Sequence, residues 1–153
     1  MKFSGEFSVD APRESVFARL NDARFFASCL DGVSDLVEID PTHYTAKLAT
    51  KIAFIRFTFA ISVDIADVEA PSRVVAKAEG TPLGVVGRLT SIATANLTEA
   101  DGSTKVAYDI DVALAGKLGS IGQPVLRSKA KEMERTFVER MQAAFAAGAG
   151  ASA

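Results

Sequence analysis

Ile55-Arg56-Phe57-Thr58-Phe59-Ala60-Ile61-Ser62-Val63-Asp64-Ile65-Ala66 alternates without a break. Ile55, Phe57, Phe59, Ile61, Val63 and Ile65 fall on one side. Arg56, Thr58, Ala60, Ser62, Asp64 and Ala66 fall on the other. Successive side chains of a strand point to opposite faces, so period two predicts a long strand with one apolar face. Such a face cannot stay in water. It needs neighbouring strands at its edges and a cover over its side chains.

The neighbours are legible on both sides. Upstream, Tyr44, Ala46, Leu48 and Thr50 alternate with Thr45, Lys47, Ala49 and Lys51. Residues 33–39 form a further strand before the turn Asp40-Pro41-Thr42. Downstream come the turn Ala70-Pro71-Ser72, a strand over 73–79, a Gly/Pro turn over 80–84, and a long strand over 85–97. Ala100-Asp101-Gly102-Ser103 is a hairpin signal. After it Val106, Tyr108, Ile110, Val112 and Leu114 alternate with polar or small residues. At the amino end, residues 2–9 alternate as well. Asp10, just before Ala11-Pro12-Arg13-Glu14, reads as a helix N-cap with proline in the first turn. Val16, Phe17 and Leu20 give that helix its stripe. Asn21-Asp22 breaks it, and a second short helix covers 23–29 before Asp31-Gly32.

The last third changes period. After a glycine-rich run over 116–122, Leu126, Ala130, Met133, Phe137, Met141 and Ala144 recur every three or four residues. That is one face of a long helix, with Pro124 starting or bending it and Leu118 and Ile121 forming an extra turn before it. Arg127, Lys129, Glu132, Glu134, Arg135 and Arg140 make a mixed charged face. The order is strand, two short helices, six strands at hairpin spacing, one long helix. This predicts an α+β fold in which a curved seven-stranded antiparallel sheet wraps around the C-terminal helix. We expect a single ligand-binding domain over residues 1–147 and a flexible tail over 148–153.

Composition limits the chemistry. The chain has 153 residues and a net charge of −2, with one Cys, one His, no Trp and ten Phe. One Cys rules out an internal disulfide and a multi-cysteine zinc site. One His rules out a two-histidine metal site within one chain. A slight excess of acid argues against general nucleic-acid binding. The opening residues lack a secretory signal, and charges interrupt every apolar run before it could span a bilayer. The expectation is a soluble cytoplasmic protein.

The residues carrying this order also resemble a known family. Gly5-Glu6-Phe7, Asp10-Ala11-Pro12-Arg13-Glu14-Ser15-Val16-Phe17, Leu20-Asn21-Asp22, Cys29-Leu30-Asp31-Gly32, Tyr44, Glu79-Gly80 and Gly116-Lys117-Leu118-Gly119-Ser120-Ile121-Gly122 are similar to the CoxG family of carbon monoxide dehydrogenase. This family lies within the helix-grip superfamily of START, Bet v 1 and polyketide cyclase domains. Asp31 stands where members usually carry proline. The resemblance implies a helix-grip (Bet v 1/START-like) fold with a ligand cavity. It also implies a place beside a molybdenum hydroxylase of the CO dehydrogenase type, in membrane recruitment or in handling a lipophilic quinone.

The chemistry-bearing residues are few. His43, after Pro41-Thr42, reads as a solvent-facing turn residue and Cys29 as a small buried one. Asp109 and Asp111 sit on the solvated face opposite Tyr108 and Ile110. The glycine run lacks the Gly-Lys-Ser/Thr ending of a phosphate loop, because Leu118 follows Lys117. Parity and helical face place Phe57, Phe59, Ile61, Leu89, Tyr108, Met133 and Phe137 around one interior, with Phe25, Phe26 and Leu30 at its mouth. Parity alone fits a packed core as well as a ligand chamber; the resemblance favours the chamber. The expected activity is therefore non-enzymatic: binding of a hydrophobic small molecule, a quinone or lipid, with no catalytic residue, no metal and no covalent cofactor. Two rivals stay open. One is an assembly or membrane-recruitment factor acting by protein contact and peripheral to the inner membrane; the other is a cyclase- or isomerase-type enzyme.

Overall fold

In the computed structural model, which describes residues 1–152, every strand expected from alternation is formed. The strands are β1 (Lys2–Val9), β2 (Val33–Asp40), β3 (His43–Ile52), β4 (Ile55–Glu69), β5 (Arg73–Pro82), β6 (Gly87–Ala100) and β7 (Ser103–Gly116). They form one antiparallel sheet in the order β1-β7-β6-β5-β4-β3-β2. The six later strands are thus a meander, and β1 closes on the last of them. Two short helices, α1 (Arg13–Leu20) and α2 (Ala23–Ser28), leave β1. A 3-10 turn (Lys117–Ser120) and the long helix α3 (Gln123–Ser152) follow β7. The sheet curves around α3, and this is the helix-grip architecture that the alternation and the final helix predict. The last residue of the expected tail, Ala153, lies outside the described residues.

Local chemistry explains the element ends, with two corrections. The α2 start is capped as short polar side chains cap helices: Asp22 accepts from the backbone N–H groups of Arg24 at 3.0 Å and Phe25 at 3.3 Å. The α1 start is not capped by Asp10, whose carboxylate instead accepts from the Ser103 hydroxyl at 2.8 Å. Glu99, from the distant end of β6, accepts from the Arg13 backbone N–H at 2.6 Å. A partner 86 residues away cannot be read from local spacing. The second correction concerns Ile55. It belongs to the apolar parity of β4 but stands at the hairpin beyond the covered part of the sheet and is 57% exposed.

The core is split between the two ends of the sheet–helix layer. At one end Val9, Val16, Phe17, Cys29, Leu97, Val106 and Met141 are buried, with Phe7, Phe25, Phe137 and Phe145 packed against them. At the other end Phe57, Phe59 and Leu118 are buried, with Leu48, Ile52, Ile61, Leu89, Leu114 and Ile121 around them. Cys29 is the small core residue expected, and burial pushes its thiol pKa up. His43 faces solvent as expected. It lies 2.9 Å from Asp40 through Nδ1 and 3.2 Å from Asp64 through Nε2.

Candidate functional site

Between the two closed ends the concave face changes character. Ladder register sets Ala78 of β5 against Val63 of β4 and Ser91 of β6, and Ala76 against Ile65 and Ala93. These positions share the inward parity of Phe57, Phe59 and Leu97. Ala76, Ala78, Ser91 and Ala93 are nevertheless only half-buried, as are Tyr44, Val63, Ile110 and Val112 around them. The floor consists of small side chains and its rim of larger apolar ones. The helix above shows the same gradient. Met141 is fully buried, whereas Leu126, Ala130, Met133 and Phe137, on the same stripe, remain half-buried. Close packing would bury an inward apolar stripe along its whole length. Here α3 seats firmly at Met141 and leaves the earlier residues of its stripe partly exposed.

The site residues expected from sequence fall into four sets. Phe59, Ile61 and Leu89 converge on Gly80. A methyl group there would lie 3.6 Å from Phe59 Cδ1, 3.7 Å from Leu89 Cβ and 3.8 Å from Ile61 Cγ1, which is ordinary contact distance. Phe57 stacks beside Phe59 with ring centres 5.8 Å apart. Phe26, Phe137 and Tyr108 are linked through Phe7. The ring-centre distances are 4.9 Å for Phe26–Phe137, 6.3 Å for Phe137–Phe7 and 6.4 Å for Phe7–Tyr108. Phe25 packs edge-on to Phe145 at 6.3 Å and carries the Arg19 guanidinium over its ring. Leu30 and Met133 meet in a crevice of about 40 Å³ with Asp31, Thr50, Lys129, Glu132 and Thr136. That volume holds one or two waters. A wider depression of about 320 Å³ lies on the convex face among Asp35, Thr45, Lys47, Ser62, Glu79 and Thr81. It is open, and none of the expected residues except Ile61 borders it.

One polar pair stands at the exposed margin of the apolar face. The Tyr108 hydroxyl donates to the Glu134 carboxylate of α3. Burial, then the hydrogen bond and charge of Glu134, push the phenol pKa well above its usual value, so Tyr108 stays a protonated donor. Gly5 on β1 makes room for the ring: a methyl group there would lie 2.4 Å from the Tyr108 oxygen. Strand parity points Tyr108 inward, but helical spacing alone puts Glu134 on the charged face. The available signal is its position four residues after Ala130 and three before Phe137, at the margin of the apolar stripe. Other polar contacts tie α3 to the edge. Gln142 donates to the Ser8 carbonyl at 2.8 Å, Arg127 to the Lys2 carbonyl at 3.4 Å, and Arg140 pairs with Asp31.

Among the described residues, no cluster of three or more His, Cys, Asp or Glu side chains could hold a metal ion. No helix among them is long and apolar enough to cross a membrane.

Known proteins agree with this architecture. The family model for the carbon monoxide dehydrogenase G subunit (CoxG) matches residues 5–146, and the chain belongs to that family. A conserved protein from Geobacillus kaustophilus has a similar structure, with a TM-score of 0.86 at 23% identity, over 95% of each chain. A START superfamily protein from Mycobacterium smegmatis superposes with a TM-score of 0.69 at 10% identity, over 94% of this chain and 96% of that one. At such identities the likeness establishes the fold alone. No curated protein matches the sequence.

Proposed function

From CoxG membership and the open mid-sheet, we propose that this chain is a non-catalytic binding protein for a lipophilic molecule of the quinone or lipid class. The ligand lies between the concave face and α3, over Ala78, Ser91 and Ala93. Leu30 and Met133 stand at the entrance, and Phe59, Ile61 and Leu89 bound one end. Phe57 serves as packing behind Phe59. Phe26, Phe137 and Tyr108 bound the other end, with Phe25 behind them. The carrying observation is an inward apolar face left half-exposed between two buried ends. Binding draws on apolar area removed from water, at ~25 cal/mol per Å². Tyr108 and Glu134 supply the polar anchor, matched to a ligand with one carbonyl or hydroxyl in a mostly apolar body.

In this reading the protein acts in the cytoplasm, beside the inner membrane, as an accessory to a molybdenum hydroxylase of the CO dehydrogenase type. No cofactor is held covalently. The charged flank of α3 from Arg127 to Arg140 remains exposed and supplies the surface for a protein partner. A pull-down from lysate expressing such an enzyme is expected to recover its subunits, and recovery of none counts against that part of the reading. Ligand binding is tested by titrating a soluble quinone against tyrosine fluorescence. The wild type should quench saturably. Ser91→Leu, which fills the floor, should weaken binding by about tenfold or more while keeping the unfolding midpoint within the range of ordinary surface changes. No saturable quenching in the wild type refutes the ligand.

A further inference from the structure

Three segments meet at the end of the sheet away from α1 and α2. These are the β3–β4 turn at Ala53-Phe54, the β5–β6 loop from Leu83 to Val86, and the 3-10 turn. The Leu83 N–H donates to the Thr58 carbonyl at 2.8 Å and the Lys117 N–H to the Val86 carbonyl at 3.0 Å, which ties the three together. Their tips are apolar and bare. Phe54 is 92% exposed, Val86 80% and Leu83 53%, with Ile55 beside them. An exposed phenylalanine at a turn tip gains nothing in water. This one also sits on costly backbone, since Ala53 and Phe54 have φ of 52° and 69°. Such two-residue hairpins favour Asn-Gly, because left-handed backbone is costly for other residues.

The segments that carry these tips hold cations and no acid of their own. Residues 50–58, 80–91 and 113–128 contain Lys51, Arg56, Arg88, Lys117 and Arg127 and no Asp or Glu, in a chain whose net charge is −2. The Lys51 ammonium lies 5.6 Å from the Phe54 ring centre. Arg88 pairs with Glu79, one residue outside this region, and Arg127 stacks on Phe3 at 5.4 Å. The hairpins at the opposite end carry Asp40, Asp64, Asp67, Glu69, Glu99 and Asp101. The apolar tips thus stand among cation-bearing segments of a slightly acidic chain.

We infer that this end docks on an anionic lipid bilayer, with Phe54, Leu83 and Val86 inserted among the headgroups and acyl boundary and the surrounding Lys and Arg on the phosphates. Charge complementarity selects this occupant: anionic headgroups meet Lys51, Arg56 and Lys117, Arg88 being paired already with Glu79, while the acyl boundary takes the bare apolar tips. The docking is independent of whether the mid-sheet holds a ligand.

The chain has no tryptophan, so Phe54→Trp provides a unique reporter, read in the full-length protein with far-UV circular dichroism as a folding control. Phosphatidylcholine vesicles containing phosphatidylglycerol should shift its emission to the blue, and brominated acyl chains should quench it. Glu69→Trp, at the opposite end, should not respond. Adding Val86→Ser to Phe54→Trp should weaken partitioning by about tenfold. Lys117→Gln should weaken it about fivefold on anionic vesicles and leave pure phosphatidylcholine unchanged. An emission maximum that stays at the fully exposed value with anionic vesicles overturns the proposal. A blue shift that follows protein concentration without lipid also overturns it, by showing that a second copy covers the tip.

Discussion

Gly5 and Tyr108 show how one missing side chain sets the position of another. The Tyr108 ring lies against the β1 backbone where a Cβ would be 2.4 Å from its oxygen and 2.8 Å from Cζ. Gly5→Ala should therefore push the ring away from Glu134 and destabilise the fold by about 1–3 kcal/mol in urea unfolding, the usual cost of overpacking. In a Tyr108→Phe background the same substitution should cost less, because no phenol oxygen opposes the methyl. Additive costs in that cycle would show that the contact is not what the glycine serves. His43 gives a second test at this scale. Its hydrogen bond to Asp40, with the charge of Asp64, raises its pKa. The bond from His43, followed by the Thr42 backbone N–H, holds Asp40 down to about 2. The His43 contribution is present below its ordinary value of ~6.5 and is lost as pH rises through the raised one. The Asp40 contribution is present above ~4 and is lost as pH falls toward the depressed value. The stability difference between wild type and His43→Gln should be larger at about pH 5 than at about pH 8.5. Equal differences at both would show that the pair contributes nothing on this exposed surface.

Among the elements, α3 is the most informative, since its stripe is legible in sequence but its seating is not. Met141 is fully buried among the β1, α1 and β7 side chains, while Leu126, on the same stripe, keeps part of its surface. Met141→Ala should cost about 2–5 kcal/mol in urea unfolding, and Leu126→Ala less than half as much. Equal costs would mean a uniformly packed helix and no open floor beneath it. The strands are readable because alternation is a local signal, and Phe57, Phe59 and Leu97 duly fall on one face. The α1 cap is not, because Glu99 reaches Arg13 from another hairpin. Glu134 escapes sequence reasoning for a related reason. A residue at the margin of a stripe turns inward or outward according to what faces it, and the facing Tyr108 arrives through β7, 26 residues away in sequence. The exposure of Ile55 beside the Phe54 tip is equally hidden, because parity records the face and not where the cover stops.

At the scale of the molecule, the scarcity of catalytic groups and the abundance of Phe describe one design. The Phe residues gather at the two ends of the layer, and Ala and Ser line the middle of the concave face. A chain with ten Phe could have filled that space. Instead bulky rings stand where α1, α2 and the 3-10 turn seal the sheet, and Phe54 stands outside. If the space between sheet and helix is made for a lipophilic guest, the guest should travel with the protein. The most direct measurement is mass spectrometry of organic extracts from protein purified without detergent, wild type beside Ser91→Leu. One lipophilic molecule of the quinone or lipid class is expected in near-stoichiometric amount with the wild type, and its loss from the variant. Equal traces of mixed lipid from both, or nothing from either, would contradict a chamber built for such a guest.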